Sequence, residues 1–258
     1  MNVLALQTDI FWENKAKNFE TVRRLIRKAA PDGDSLVVLP EMFATGFTMN
    51  AAVMAEEYGG ETEQFLAQTA KEFGVWLVGG VAMRGGDGRA RNKALVLSPA
   101  GELAGYYSKM RPFTPGGERE HYAAGKRTTA VRVGDCTLSP FICYDLRFPE
   151  LFREAAAGHR PELFVVIASW PEKRIIHWVR LLQARAIENQ AYVVGVNRVG
   201  RDPFYQYTGH SLIVDFNGDV LADAGEREGS VQGQLDLATL RKYREGLPFL
   251  EDMELRSR

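Results

Sequence analysis

Three reactive side chains lie directly after apolar runs that predict β-strands. Glu41 follows residues 36–40, Lys109 follows residues 103–108, and Cys143 follows residues 138–142. In a sheet fold, the ends of three strands can converge on one pocket. A carboxylate can accept a thiol proton, a thiolate can attack a carbonyl carbon, and an ammonium can stabilise the oxyanion that develops. This set of side chains therefore predicts acyl transfer.

Cys143 is the more informative of the two cysteines in the chain. It opens the segment Cys-Tyr-Asp-Leu-Arg-Phe-Pro-Glu at residues 143–150. Pro149 then falls in the first turn of a predicted helix, so the thiol lies in a turn between a strand and a helix, where a fold can present a nucleophile. A buried and inert thiol is the alternative for any cysteine, and we expect it for Cys136.

The composition predicts a globular protein with a large core. Of the 258 residues, 45% are hydrophobic and 25% are charged. The formal net charge of -1 argues against a nucleic-acid or membrane-surface partner, and no apolar run has the length of a membrane span. The first residues lack a basic region before their apolar stretch, so we expect no signal peptide. Two cysteines make no disulfide framework, which indicates a cytoplasmic location.

Alternating strands and helices predict an α/β protein. Helices are predicted at residues 14–29, 61–73, 149–157, 174–189 and 237–243, the first with an apolar face of Phe19, Val22, Leu25 and Ile26. Strands are predicted at residues 3–7, 35–39, 75–83, 92–98, 102–107, 163–168, 192–196, 211–215, 220–222 and 230–235, with two more between 131 and 142. Hairpins are too frequent for an all-parallel sheet, so a mixed sheet or two packed sheets fits better. We expect one domain over residues 1–258.

The sequence resembles the nitrilase, or carbon–nitrogen hydrolase, superfamily, whose members use a Glu–Lys–Cys triad. The matching motifs follow the family's order and span residues 3 to about 235. They are Leu39-Pro40-Glu41, Lys109, the segment 143–150, Arg185-Ala186-Ile187-Glu188-Asn189 and Asn197-Arg198-Val199-Gly200. The resemblance implies a nitrilase-like αββα sandwich, in which two mixed β-sheets pack together and helices cover the outer faces. It also implies a homodimer or larger homo-oligomer, with the helix at 174–189 near a subunit interface.

The resemblance assigns the triad its roles. Glu41 is the expected general base, and Cys143 is the nucleophile that forms a thioester. Lys109 and the backbone N–H of Tyr144 are expected to form the oxyanion hole. Neither a metal ion nor an organic cofactor is implied.

The family also has a second glutamate near the catalytic lysine. The distance from Glu118 to Gly125 matches the family's spacing, which favours Glu118 over Glu120. Such a glutamate is expected to keep the lysine charged and to help position the substrate amide. Many relatives carry a histidine shortly after the lysine, whereas this chain has Arg111 and Pro112. The substrate preference of those relatives is therefore not inferred for this chain from this loop.

Among the branches of the family, the segments 143–150 and 184–189 look most like the ω-amidases. Those enzymes deamidate the open-chain keto-acid amides 2-oxoglutaramate and 2-oxosuccinamate, so a small linear carboxamide is the expected substrate. One alternative is the same triad acting on a nitrile or an N-carbamoyl amine. Another is a non-catalytic interaction protein that retains the fold, although such a protein has no physical reason to hold buried charges.

Several side chains are candidates for contact with the substrate. They are Phe43, Thr45, Tyr144, Arg147 and Trp170, with Tyr122 and Tyr207 as further pocket walls. Packing in the core is the competing interpretation for each wall residue. Arg147 could bind a substrate carboxylate bidentately, but we favour an internal pair with Glu150 or Asp145. Arg198 poses a similar choice.

The four histidines permit a rival mechanism in which a Cys–His pair activates the thiol. His177 is the candidate because it opens a predicted helix. This mechanism leaves Glu41 and Lys109 without a role, so we rank it below the triad. No Cys/His spacing is typical of a zinc site. The pairs Gly79-Gly80 and Gly85-Gly86 indicate turns or close packing and not a phosphate loop.

Overall fold

Strands and helices alternate along the chain, as the sequence predicts. The computed structural model describes residues 1–253. Its strands are β1 (Asn2–Gln7), β2 (Leu36–Val38), β3 (Trp76–Arg84), β4 (Ala90–Leu97), β5 (Leu103–Ser108), β6 (Val131–Val133), β7 (Cys136–Ile142), β8 (Leu163–Ile167), β9 (Tyr192–Val196), β10 (Val199–Arg201), β11 (Gln206–Thr208), β12 (Leu212–Val214), β13 (Val220–Asp223) and β14 (Gly229–Gln234). Its α-helices are α1 (Lys15–Ala29), α2 (Ala51–Met54), α3 (Glu61–Phe73), α4 (Glu118–His121), α5 (Pro149–His159), α6 (Ile175–Asn189) and α7 (Leu237–Gly246). Short 3₁₀ helices lie at Thr114–Gly116, Cys143–Arg147 and Glu172–Arg174.

The strands form two mixed six-stranded sheets and one separate hairpin in the described part of the chain. The first sheet has the order β14-β1-β2-β3-β4-β5, and the second has the order β13-β12-β9-β8-β7-β6. In the first sheet β1, β2 and β3 are parallel, and in the second β7, β8 and β9 are parallel. The outer pairs of both sheets are antiparallel, so the prediction of mixed sheets is confirmed.

The central strands of each sheet are buried on both faces. Along β1, Val3 and Ala5 pack into the core shared with the second sheet, whereas Leu4 and Leu6 pack beneath α1 and α3. This alternation follows from the two-residue period of a strand. Helices α5 and α6 add buried side chains to the core around the second sheet, among them Phe152. The resulting layers are helix, sheet, sheet and helix, which confirms the predicted αββα sandwich.

Helix α1 has the apolar face that its sequence predicts. Val22, Leu25 and Ile26 are buried in one cluster. Phe19 is half-buried against that cluster and stacks on Phe65, with ring centroids 4.1 Å apart. No helix within residues 1–253 is long and apolar enough to cross a membrane.

The hairpin of β10 and β11 is an element that the sequence pattern does not reveal. Each strand has three residues, which is too short for a readable alternation. Asp202 holds the turn, because its side chain accepts hydrogen bonds from the backbone N–H groups of Phe204 and Tyr205. It also accepts a hydrogen bond from the hydroxyl of Tyr207. The hairpin thereby has a defined shape.

The reactive side chains leave the carboxyl ends of strands. Glu41 follows β2, Lys109 follows β5 directly, and Cys143 follows β7 directly. β2 lies in the middle of the first sheet, between the parallel strands β1 and β3, and β7 is parallel to β8 in the second sheet, one strand from its edge. The carboxyl ends of such strands are where α/β sheets form ligand sites.

Candidate active site

Glu41 is fully buried in the turn after β2. Its Oε1 accepts hydrogen bonds from Lys109 Nζ at 2.8 Å and from Asn92 Nδ2 at 2.7 Å. Its Oε2 accepts a hydrogen bond from the backbone N–H of Ser169 at 2.8 Å. The three donors hold the carboxylate in one orientation, which a general base requires.

The backbone that carries Glu41 passes very close to β3. A Cβ added at Gly80 would lie 2.4 Å from the Met42 nitrogen and 2.7 Å from the Glu41 Cα. Met42 has a φ of +44°, so the chain turns sharply at this point. Gly80 is therefore a packing glycine inside a strand, which is one of the two roles predicted for the glycine pair.

Lys109 lies between two carboxylates. Its Nζ is 2.8 Å from Glu41 Oε1 and 2.8 Å from Glu118 Oε2, and none of the three side chains is more than 1% exposed. Burial alone would favour the neutral amine. The carboxylates of Glu118 and Glu41 more than offset it and raise the pKa of Lys109, so the ammonium form persists.

The glutamate beside the lysine is Glu118 and not Glu120. Glu118 is fully buried in α4, whereas Glu120 is exposed. The carboxylate of Glu118 also accepts a hydrogen bond from the backbone N–H of Phe113. The spacing to Gly125 thus selects the glutamate that contacts the lysine.

Asn92 joins the two glutamates, and the sequence motifs do not point to it. Its Nδ2 lies 2.7 Å from Glu41 Oε1 and 2.9 Å from Glu118 Oε1. Both partners are acceptors, so the orientation of the amide is determined. Its main-chain carbonyl accepts the backbone N–H of Lys109 at 2.9 Å. The sequence signal for it is an asparagine at the start of a predicted strand, because strands are depleted in asparagine.

Cys143 begins a 3₁₀ helix in a strained backbone conformation. Its φ is +48°, a region that residues other than glycine rarely adopt. Its Sγ lies 3.8 Å from the Ser169 carbonyl oxygen. Burial raises the pKa of the Cys143 thiol well above its usual range, and the negative charge of Glu41 raises it further. The resting group is therefore a thiol. Tyr144 follows in the first turn, where backbone N–H groups lack a partner within the helix.

Asp145 ties the cysteine turn to the segment after the lysine. Its carboxylate accepts hydrogen bonds from the Ile142 N–H at 3.1 Å, the Arg111 N–H at 2.8 Å and the Tyr107 hydroxyl at 2.9 Å. Burial raises the pKa of Asp145 to about 7. The three donors come from two separate parts of the chain, so the carboxylate fixes those parts relative to each other.

One cavity opens onto the thiol and the buried carboxylate. It is lined by Glu41, Cys143, Arg147 and Arg174 together with a mostly aromatic wall of Phe47, Phe113, Tyr144, Ser169, Trp170, Pro171, Tyr205 and Tyr207. A largely apolar wall around a few polar groups is typical of a small-molecule site. Of the candidates for contact with the substrate, Tyr144, Arg147, Trp170 and Tyr207 line this cavity.

Phe43 and Thr45 do not line the cavity, so their prediction as substrate contacts is wrong. Phe43 packs in the core beneath α1 and α3. Thr45 is buried and donates its hydroxyl to a main-chain carbonyl. Tyr122 likewise donates to a main-chain carbonyl and lies outside the cavity wall. The phenylalanine that lines the cavity is Phe47. Because the chain turns sharply after β2, the sequence position alone does not reveal this.

Arg147 faces the cavity, and its predicted internal pair is wrong. Glu150 pairs with another arginine, and the hydrogen bonds to Asp145 come from other donors. The guanidinium of Arg147 lies 4.7 Å from the ring centroid of Trp170. Its two terminal nitrogens each lie 3.3 Å from His177 Nδ1.

Arg198, in contrast, is a structural residue. It is fully buried and donates hydrogen bonds to the main-chain carbonyls of Val199 and Ile10. Its guanidinium lies 4.5 Å from the ring centroid of Tyr207. It therefore supports the cavity wall from behind.

The geometry favours the carboxylate over a histidine as the partner of the thiol. Within residues 1–253, no histidine lines the cavity or forms a hydrogen bond with Cys143. His177 reaches Arg147 at the rim instead. The same part of the chain contains no group of three or more His, Cys, Asp or Glu side chains that could hold a metal ion.

The chain is similar to known proteins over nearly its whole length. The family model described as carbon-nitrogen hydrolase matches residues 3–245. A 2-oxoglutaramate amidase of Bacillus subtilis is 34% identical over 252 residues, which cover 97% of this chain and 96% of that protein. The omega-amidase YafV of Yersinia enterocolitica is 37% identical over 258 residues, covering 98% and 97% of the two chains. The crystal structure of XC1258 from Xanthomonas campestris, a CN-hydrolase superfamily protein with an arsenic adduct in the active site, matches with a TM-score of 0.94 at 33% identity and covers 100% of this chain and 98% of that one.

Proposed function

The chain belongs to the carbon–nitrogen hydrolase family, and from this premise we propose that it cleaves a small linear carboxamide to a carboxylate and ammonia. The proposed substrates are 2-oxoglutaramate and 2-oxosuccinamate. The observation that carries the proposal is the buried Glu41–Lys109–Glu118 cluster, of which Glu41 lines the same cavity as Cys143 and Arg147. The names of two relatives, 2-oxoglutaramate amidase and omega-amidase, support the choice of substrate.

In the first half-reaction, Glu41 accepts the thiol proton while the Cys143 sulfur attacks the amide carbon. The carbonyl oxygen becomes an oxyanion that Lys109 Nζ and the Tyr144 N–H stabilise. The proton then passes from Glu41 to the amide nitrogen, the C–N bond breaks, and ammonia leaves. A thioester remains on the sulfur. A base is needed because the resting thiol is protonated.

In the second half-reaction, water attacks the thioester carbon while Glu41 accepts its proton. The same two donors stabilise the second oxyanion. When the C–S bond breaks, its electron pair returns to sulfur, which takes back the proton from Glu41. The net change is the hydrolysis of one amide to one acid and one ammonia. Glu118 and Asn92 serve this sequence by holding Lys109 charged and Glu41 oriented.

Arg147 is the proposed partner of the substrate carboxylate. Its guanidinium faces the cavity, and Trp170 and His177 fix its orientation. A planar guanidinium matches a carboxylate in a bidentate geometry. A ω-amide of a keto acid carries such a carboxylate at the end opposite to the reacting amide.

Two other functions remain candidates. The same triad could act on a nitrile, which would give a thioimidate, or on an N-carbamoyl amine. A non-catalytic interaction protein is the more distant alternative. The buried ion cluster argues against it, because burying three charges costs free energy that a protein without a catalytic site has no reason to spend.

We also infer a cytoplasmic homodimer or larger homo-oligomer. Support comes from α6, where Ile176 and Ile187 are 56% and 52% exposed. Large apolar side chains exposed on one helix are typical of a protein interface. Light scattering on the wild type and on Ile176→Glu tests this state, and a wild-type protein with the mass of one chain would contradict it.

The first experiment measures ammonia release from 2-oxoglutaramate and 2-oxosuccinamate, with Cys143→Ala as the control. A simple nitrile and an N-carbamoyl amino acid are assayed alongside. Release from the keto-acid amides by the wild type alone is the expected result. Turnover of another compound alone would overturn the substrate and keep the triad. No turnover of any compound, with a Cys143 no more reactive than a free thiol, would favour the non-catalytic alternative.

A further inference from the structure

Two arginines face the cavity without an acidic partner. Arg147 and Arg174 both line its wall, and among residues 1–253 neither forms a salt bridge with a carboxylate. Glu41 is the single carboxylate in the described cavity wall, and it is already bonded to Lys109. The outer part of the cavity therefore carries two uncompensated positive charges.

Trp170 connects the two arginines. Its ring lies under the Arg147 guanidinium at 4.7 Å, and its indole N–H donates to the Arg174 carbonyl oxygen at 2.8 Å. The Arg174 guanidinium in turn lies 5.7 Å from the ring centroid of Phe113. Burial lowers the pKa of Arg147, and the nearby positive charge of Arg174 lowers it further. A pair of like charges held together in this way is costly unless an anion occupies the space between them.

We propose that Arg174 is a specificity-determining residue that joins Arg147 in a two-guanidinium clamp for the 2-oxo carboxylate end of the substrate. This inference rests on the proposed function and extends it. The clamp selects the keto-acid amide over the corresponding amino-acid amide, glutamine or asparagine.

The chemistry of the two substrate ends explains the selection. A 2-oxo carboxylate offers only acceptor oxygens, which suit the N–H donors of two guanidiniums. An α-amino acid replaces the keto oxygen with an ammonium, which brings a third positive charge and no acceptor. Because Glu41 is the single carboxylate in the described wall, no acidic side chain of the cavity is free to compensate that ammonium. Glutamine is therefore excluded by repulsion and not by size.

The test compares kcat/KM for 2-oxoglutaramate, glutamine and the uncharged amide butyramide. The variants are Arg174→Met, Arg174→Lys and, as the matched control, Lys173→Met, which removes an exposed charge from the same 3₁₀ turn. In Arg174→Met we expect kcat/KM for 2-oxoglutaramate to fall by about tenfold or more relative to butyramide. The preference for 2-oxoglutaramate over glutamine should shrink by a similar factor. Arg174→Lys keeps the charge, so it should retain most of the discrimination against glutamine while losing affinity.

Alkylation of Cys143 provides a second readout that does not depend on turnover. Iodoacetate is an anion and iodoacetamide is neutral, so the ratio of their rates reports the charge of the cavity. This ratio should fall in Arg174→Met and stay constant in Lys173→Met. An unchanged ratio, together with unchanged substrate preference in a wild type that hydrolyses 2-oxoglutaramate, would overturn the role of Arg174 and leave the proposed function standing. A wild type that hydrolyses no keto-acid amide would overturn the proposed function itself.

Discussion

Asn92 and Glu41 form a buried hydrogen bond, with Nδ2 and Oε1 2.7 Å apart. The same amide nitrogen lies 2.9 Å from Glu118 Oε1. One side chain therefore sets the positions of both glutamates that contact Lys109. Asn92 does not line the cavity, so it acts on the reaction through its neighbours.

Replacing Asn92 with alanine should lower kcat by about tenfold or more with little change in KM, because two buried acceptors lose a donor. Steady-state kinetics on the wild type and on Asn92→Ala measures the effect. Asn217→Ala, at an exposed turn, is the matched control. A variant that loses stability but keeps the wild-type kcat would contradict the positioning role.

Replacing Lys109 with methionine should abolish activity and destabilise the fold. Loss of one oxyanion donor should lower kcat by about a hundredfold or more. Leaving Glu41 and Glu118 buried without their cation should cost about 3–5 kcal/mol of unfolding free energy. Lys109→Arg should not restore activity, because a planar guanidinium does not replace a compact ammonium.

The resting enzyme should contain a thiol and not a thiolate at Cys143. Burial and the Glu41 carboxylate raise its pKa well above the usual range. The ultraviolet absorbance of a thiolate should therefore be missing near neutral pH from the difference between wild type and Cys143→Ala. A thiolate band at neutral pH would mean that the nucleophile is preformed and that Glu41 is not needed to deprotonate it.

Asp145→Asn should lower kcat by about tenfold or more and leave KM close to the wild-type value, because Asp145 holds the nucleophile turn without lining the cavity.

The pKa of Asp145 is raised to about 7 in the native protein. The contribution of protonated Asp145 to stability is complete when the pH lies below the pKa that Asp145 has in the unfolded chain. It is lost as the pH rises from that pKa through about 7. The wild type should therefore lose stability relative to Asp145→Asn over this range. Asp219→Asn, at an exposed turn, should track the wild type.

Gly80→Ala should damage both stability and activity. Its Cβ would meet the backbone of Glu41 and Met42 at 2.7 Å and 2.4 Å, so the turn that carries the base must move. We expect a loss of about 1–3 kcal/mol in unfolding free energy together with a reduced kcat. Gly86→Ala is the matched control, because no atom lies within 4 Å of the added Cβ. A Gly80→Ala enzyme with normal kcat would show that the position of Glu41 tolerates this shift.

The sequence by itself determined the layers and the chemistry of the protein. The periodicity of apolar residues and the positions of turn residues predict α1, α3 and most strands, because each of these elements is long enough to show its own pattern. The order of Glu41, Lys109 and Cys143 after strands predicts the site, since strand ends are where a sheet presents side chains. The resemblance to the family, through the spacing of Glu118 to Gly125, also implies the buried contact of Lys109 with Glu118.

Only the tertiary structure decided which other side chains meet these groups. Asn92 reaches Glu41 across 51 positions of sequence, and the β10–β11 hairpin brings Tyr205 and Tyr207 to the cavity wall. Phe47 lines the cavity and the predicted Phe43 packs in the core, because the chain turns sharply at Met42 after β2. Such contacts depend on how distant segments pack and on turn geometry, and neither leaves a periodic signal in the chain.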